Sequence, residues 1–232
     1  MPVTVLSLDA LLFGALPYVA LAVFLLASVA RYRGARFSYS SLSSQFLENR
    51  QHFWGLVPLH YGILVVLAGH LVAFLIPREI LAWNSHPLRL YVLEVSALAS
   101  GVLALIGLAA AIVRRATVPA VLAVTNGRDW VLFTLLAVQV VSGVATAVLY
   151  PWGSSWYAAA AVPYLRSLFR FAPDIAAVAV MPWLVKLHIG TAYVLLAYAP
   201  FSRLVHVLVA PVPYLWRKPQ IVRWYRGSET TS

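Results

Sequence analysis

Residues 58–70 read PLHYGILVVLAGH, an apolar run without a single charge that nonetheless carries two imidazoles, His60 and His70. The run sits inside a stretch, about 53–76, long enough to cross ~30 Å of hydrocarbon at ~1.5 Å per helical residue. Four other stretches read the same way, at about 8–30, 88–113, 129–150 and 180–209. The whole chain agrees, with 62% hydrophobic and 10% charged residues among 232, where a soluble domain carries about a quarter charged residues. The expected fold is all-α: an integral membrane bundle of five transmembrane helices, forming one domain over 1–226. The short polar end, GSETTS at 227–232, is expected to be disordered.

Basic residues between the spans set the orientation. Twelve lie on one side: Arg31, Arg33, Arg36 and Arg50, then Arg114, Arg115 and Arg128, then Arg203, Arg217, Lys218, Arg223 and Arg226. The other side holds Arg78, Arg89, Arg166, Arg170 and Lys186. The N-terminus is therefore expected outside and the C-terminus in the cytoplasm. The net charge of +10 follows membrane topology rather than a nucleic-acid surface. Asp9 is the one charge before Arg31, so the first stretch lacks a basic n-region and reads as a retained helix. The stretch WYAAAAVPYLRSLFRFAPDI, 156–175, is apolar enough to invite a sixth crossing. Pro163, Arg166, Arg170, Pro173 and Asp174 make one costly, so 151–179 is expected as an interfacial segment on the outer face, with Trp152, Trp156, Tyr157 and Tyr164 at the headgroup level.

Cysteine is absent, which excludes thiolate metal sites, cysteine-held iron–sulfur clusters and c-type haem attachment. A redox centre would rest on histidine. His52 and His86 fall at span boundaries beside polar residues and read as solvated side chains. His60, His70, His188 and His206 fall within the second and fifth spans, where an unpaired polar group is costly and ionisable residues are usually functional. A single such histidine could simply bond a neighbouring helix; four, two on each of two helices, ask for more. Topology levels them into pairs, His60 with His206 at the inner end and His70 with His188 at the outer end. Two facing neutral imidazoles are what a b-type haem needs between two helices.

Spacing sets a constraint on that arrangement. His188 and His206 are separated by eighteen residues, ~27 Å along a straight helix, whereas His60 and His70 are separated by ten, ~15 Å. Tilt and a bend at Pro200 must absorb the difference. Gly62, Gly69 and Gly190 remove side chains near the ligands, for a macrocycle to approach or for helices to pack. Arg203, on the His206 face, and Lys186, near His188, are candidate partners for haem propionates, or snorkel to the interface. Glu94 is the one acid well inside a span, and without a second carboxylate it makes a poor acid–base pair.

HYGILVVLAGH (60–70), KLHIGTAYVLLAYAPFSRLVHVLVAPVPYL (186–215) and PYVALAVFLLASVARYRGARFSYSSLSSQFL (17–47) together resemble the gamma subunit of respiratory nitrate reductase, a membrane dihaem cytochrome b. The likeness runs from about Pro17 to Arg223, and its histidine spacing differs from that of the bc1-type b cytochromes. It implies two haem b groups, the inner held by His60 and His206 and the outer by His70 and His188. It further implies oxidation of a quinol such as menaquinol near the outer haem. Electrons would then pass to an iron–sulfur beta subunit and a molybdenum-containing alpha subunit on the cytoplasmic face of a prokaryotic cell membrane. Arg89 stands where the family has a lysine beside the quinol pocket, and with Gly69 it is the candidate lining of that pocket; arginine keeps the charge but changes shape and hydration. The basic and aromatic stretches at 30–50 and 213–226 are the expected docking surface.

Two other readings compete. One is a related gamma-type cytochrome b serving nitrite oxidation or sulfur-compound reduction, with electrons flowing either way. The other is a histidine-relay transporter or proton channel, which would want acidic partners or broken helices at the midplane, hinted at by Glu94 and Pro200.

Overall fold

A computed structural model describes residues 8–35 and 50–209. The tail at 227–232, the stretch 213–226 and residues 36–49 of the other docking stretch lie outside the described residues. Five helices are long and apolar enough to cross a membrane: Ala10–Ala35, Trp54–Leu75, Pro87–Thr117, Gly127–Leu149 and Trp183–Phe201. Among the described residues the regular structure is helical throughout. Proline opens the third span at Pro87 and the short connecting helices Pro77–Asn84 and Pro119–Leu122, positions where its missing N–H costs nothing. The fourth span starts on a capping box: Asn126 accepts the Asp129 N–H and Asp129 accepts the Asn126 N–H.

The spans pack in an arc, second on third, third on fourth, fourth on fifth and fifth on first. The second–third seam is the tightest because glycine brings backbones together. A Cβ at Gly62 would lie 2.5 Å from the Ala104 nitrogen, and one at Gly107 2.4 Å from the Leu59 nitrogen. Leu59, Ala104 and Leu108 fill the core beside them. Gly62 therefore serves close packing of helices and not approach of a macrocycle, whereas Gly69 and Gly190 have nothing within 4 Å of a built Cβ. The second and fifth spans, separated in the arc by the third and fourth, make little backbone contact among the described residues.

Two expectations change. The fifth span does not run as one helix over 180–209. Its α-helix is Trp183–Tyr198, followed by 3-10 turns at Ala199–Phe201 and Arg203–Val209 around an extended Ser202. Pro200 cannot donate to the ladder, and the carbonyls freed there are taken by Arg31 of the first span, whose Nη1 donates to Pro200 O and, at 3.2 Å, to Ser202 O.

The outer segment is also no single interfacial helix. It breaks into Gly153–Trp156, a π-helical Tyr157–Ala161, Val162–Phe169 and Ile175–Ala179. Tyr164 and Val178 are fully buried against Phe13, so this segment packs into the end of the bundle. The turn into the segment is set by Trp152 at φ 66, in the left-handed region. Glu94 then receives the Gly153 N–H at 3.0 Å and the Ser154 N–H at 2.8 Å. The acid well inside the third span is thus spent holding a loop.

Tyr164 donates to the Phe13 carbonyl at 2.9 Å and accepts from Tyr193 at 3.0 Å. Burial pushes its phenol up to about 12, so it remains a neutral donor at physiological pH. Tyr164→Phe should cost about 1 kcal/mol, up to ~3 if both partners stay unsatisfied. The expected readout is a lowered thermal midpoint in detergent with an unchanged visible spectrum.

Candidate functional site

The open side of the arc holds the histidines. Ring centroids of His60 and His206 lie 6.2 Å apart, and those of His70 and His188 6.4 Å apart. The helix break explains how unequal sequence spacings allow both. From His188 to Tyr198 the fifth helix climbs ten residues, ~15 Å, the same rise as His60 to His70. Beyond Tyr198 the α-helix gives way to 3-10 turns around an extended Ser202, and His206 meets His60.

Each ring has one nitrogen committed to a carbonyl. His60 Nδ1 donates to Leu56 O at 2.7 Å and His70 Nδ1 to Val66 O at 2.8 Å. His206 Nδ1 donates to Arg203 O at 2.6 Å and His188 Nδ1 to Gln139 O at 3.0 Å. A metal-bound histidine characteristically donates its other N–H in this way, which fixes the tautomer and leaves Nε2 to the metal. With metal–nitrogen bonds of about 2.0 Å and centroids about 1.1 Å behind the bonding nitrogen, two rings reaching one ion from opposite sides would stand about 6.2 Å apart. Among the described residues no cluster of three or more His, Cys, Asp or Glu could hold a bare ion. Two facing imidazoles per level are the protein ligands that an iron held in a macrocycle would require.

The fourth span builds the seat of His188, which sequence reasoning missed. Ser142 Oγ lies 3.1 Å from His188 Nδ1, and the Gln139 amide nitrogen lies 3.2 and 3.3 Å from the two ring nitrogens. The carbonyl contact is the firmer assignment for Nδ1, because an amide NH2 cannot accept the proton. Thr191 donates to Gln139 Oε1 at 2.5 Å and so steadies the amide. Gly143 leaves room for the ring: a Cβ there would come within 2.8 Å of His188 Cε1. A Gln in the middle of a largely apolar span was the available signal. On the second span, Tyr157 of the π-helical turn meets the His70 ring edge to face at 5.0 Å and donates to His70 O at 3.3 Å.

The proposed cationic partners are engaged by protein. Arg203 grips Asp129 through Nε at 2.5 Å and Nη2 at 2.8 Å, and Lys186 pairs with Asp9 at 2.9 Å. Arg89 lies over the Trp83 ring at 5.1 Å, and Gly69 is exposed beside His70.

Known proteins align with nearly the whole chain. A family profile described as nitrate reductase gamma subunit matches residues 9–225. The nitrate reductase gamma chain of Bacillus subtilis is 30% identical over 92% of this chain and 97% of its own length. The respiratory nitrate reductase 1 gamma chain of Escherichia coli is 32% identical over 93% and 97%. A nitrate reductase-like protein of Mycobacterium tuberculosis, NarX, is 31% identical over 92% of this chain but only 33% of its own length.

Proposed function

Because this chain belongs to the nitrate reductase gamma subunit family, and is with its five spans a multi-pass prokaryotic membrane protein, we propose that it is the quinol-oxidising cytochrome b subunit of a respiratory nitrate reductase. His60 and His206 hold an inner haem b, and His70 and His188 an outer one. Paired rings at 6.2 and 6.4 Å, each with Nδ1 bonded to a carbonyl, are the observation that carries this reading. The haems, when bound, supply one-electron chemistry between the two ends of the bundle.

The N-terminus lies outside, so quinol is oxidised at the outer end and its protons leave there. Electrons pass to an iron–sulfur beta subunit and a molybdenum-containing alpha subunit docked in the cytoplasm. The chain's own contribution is geometric: carbonyls hold each Nδ1 proton away from the metal side, and the plugged outer face keeps water from the space between the spans. Arg89 and Gly69 border the quinol pocket, with the Arg89 guanidinium stacked over Trp83. A histidine relay for transport is disfavoured, since the Glu94 carboxylate is occupied by the Gly153 and Ser154 N–H groups.

The test is a dithionite-reduced minus oxidised spectrum of the purified protein with a haem count. Two b-type haems are expected per chain. His60→Ala should remove one and His70→Ala the other. A protein purified from haem-replete cells without any b-type signal would sink the proposal.

A further inference from the structure

At the predicted inner end, Asp129 is 4% exposed yet charged. Its Oδ1 accepts from Arg203 Nε at 2.5 Å; its Oδ2 accepts from Arg203 Nη2 at 2.8 Å, Arg115 Nη1 at 3.3 Å and the Asn126 N–H at 3.2 Å. The same Arg203 supplies, with its backbone carbonyl, the acceptor for His206 Nδ1 at 2.6 Å. Carboxylate, guanidinium, carbonyl and imidazole thus form one chain from the fourth span to the inner ligand.

The arrangement matters because of where Arg203 stands. Ser202 before it is extended, so the helix upstream does not dictate the direction of residue 203. A planar two-point fork does, since two parallel N–H···O bonds fix orientation as well as distance. The fork is anchored in turn, because Asp129 is locked into the capping box of the fourth span.

We propose that Asp129 is a positioning residue for the inner haem ligand: its grip on Arg203 aims the carbonyl that sets the tautomer and orientation of His206. This rests on the haem reading above and adds to it a residue that the ligand set does not include. Outer-shell partners of metal-bound histidines typically change affinity or activity ~10–100-fold when removed.

Asp129→Asn in the full chain, assembled in membranes, is the first variant. Arg203→Lys is the second; it keeps the cation and the backbone carbonyl but loses the fork. The readouts are haem content, a redox titration and the low-spin resonance of each haem, with His206→Ala marking which signal is the inner one. In both variants the inner signal should shift in potential and line shape, with occupancy at limiting haem down ~10–100-fold, while the outer signal stays fixed. Asp129→Glu should restore part of the wild-type signal. Wild-type potential, occupancy and line shape of the inner haem in both variants would overturn the proposal, as would equal loss of both haems in Arg203→Lys. If His206→Ala removes no haem, the haem reading fails. If it removes one and the two fork variants change nothing, only the role of Asp129 fails.

Discussion

Gly143→Val is expected to empty the haem site proposed at His70 and His188 and to spare the one proposed at His60 and His206. A Cβ at position 143 would lie 2.8 Å from His188 Cε1, 3.3 Å from Nδ1 and 3.6 Å from Nε2, and valine adds two methyl groups beyond it. The ring cannot swing aside freely, because its Nδ1 is tied to Gln139 O at 3.0 Å and Ser142 Oγ at 3.1 Å. Moving it breaks the bond that sets the tautomer and displaces Nε2 from the partner ring. The expected result is a haem count near one per chain and quinol-driven turnover lowered ~10–100-fold. Two haems with wild-type spectra would show that the ring has room the structure does not display. Since the damage is confined to one side chain's seat, membrane levels of the protein should hold.

Gly107→Leu should do the opposite, removing both haems together. Its Cβ alone would meet the Leu59 nitrogen at 2.4 Å, Gly55 O at 2.7 Å and Leu59 Cα at 2.9 Å. These are backbone atoms that no rotamer change can move. Overpacking in a core ordinarily costs about 1–3 kcal/mol, and here relief requires the second and third helices to part. Because the second helix carries His60 and His70, its displacement spoils both pairs at once. The check is membrane content and haem per chain. A stable protein retaining a single haem would contradict the seam's role.

How legible this was in sequence depended on the kind of information each feature needs. The five spans were visible because length and hydropathy suffice to specify a membrane helix. The histidines were visible because a polar group in lipid needs a reason. The break in the fifth span was half visible: Pro200 announces it, but the extended Ser202 and the use of Arg31 as a cap depend on a residue about 170 positions away. Arg31 had been counted only as a topology charge. Asp129, the first residue of the expected fourth span, carries no such signal, since nothing local says that two arginines converge on it. Glu94 looked like an acid stranded in hydrocarbon, because its partners are amides of a loop whose path depends on the left-handed Trp152. Gly143 could not be told from any packing glycine until His188 was seen against it.

The interruption at Ser202 also decides how force moves through the molecule. A straight fifth helix would be a rigid lever carrying a ligand at each end, so a tilt that improved one contact would worsen the other. Here the lever stops at Tyr198, and the piece beyond it is fastened sideways, to the first span through Arg31 and to the fourth through Asp129. Strain at the His188 end is therefore absorbed before it reaches His206, and a load at the His206 end need not loosen His188. The two ends can be adjusted separately, by substitution or by evolution, although one chain segment serves them both.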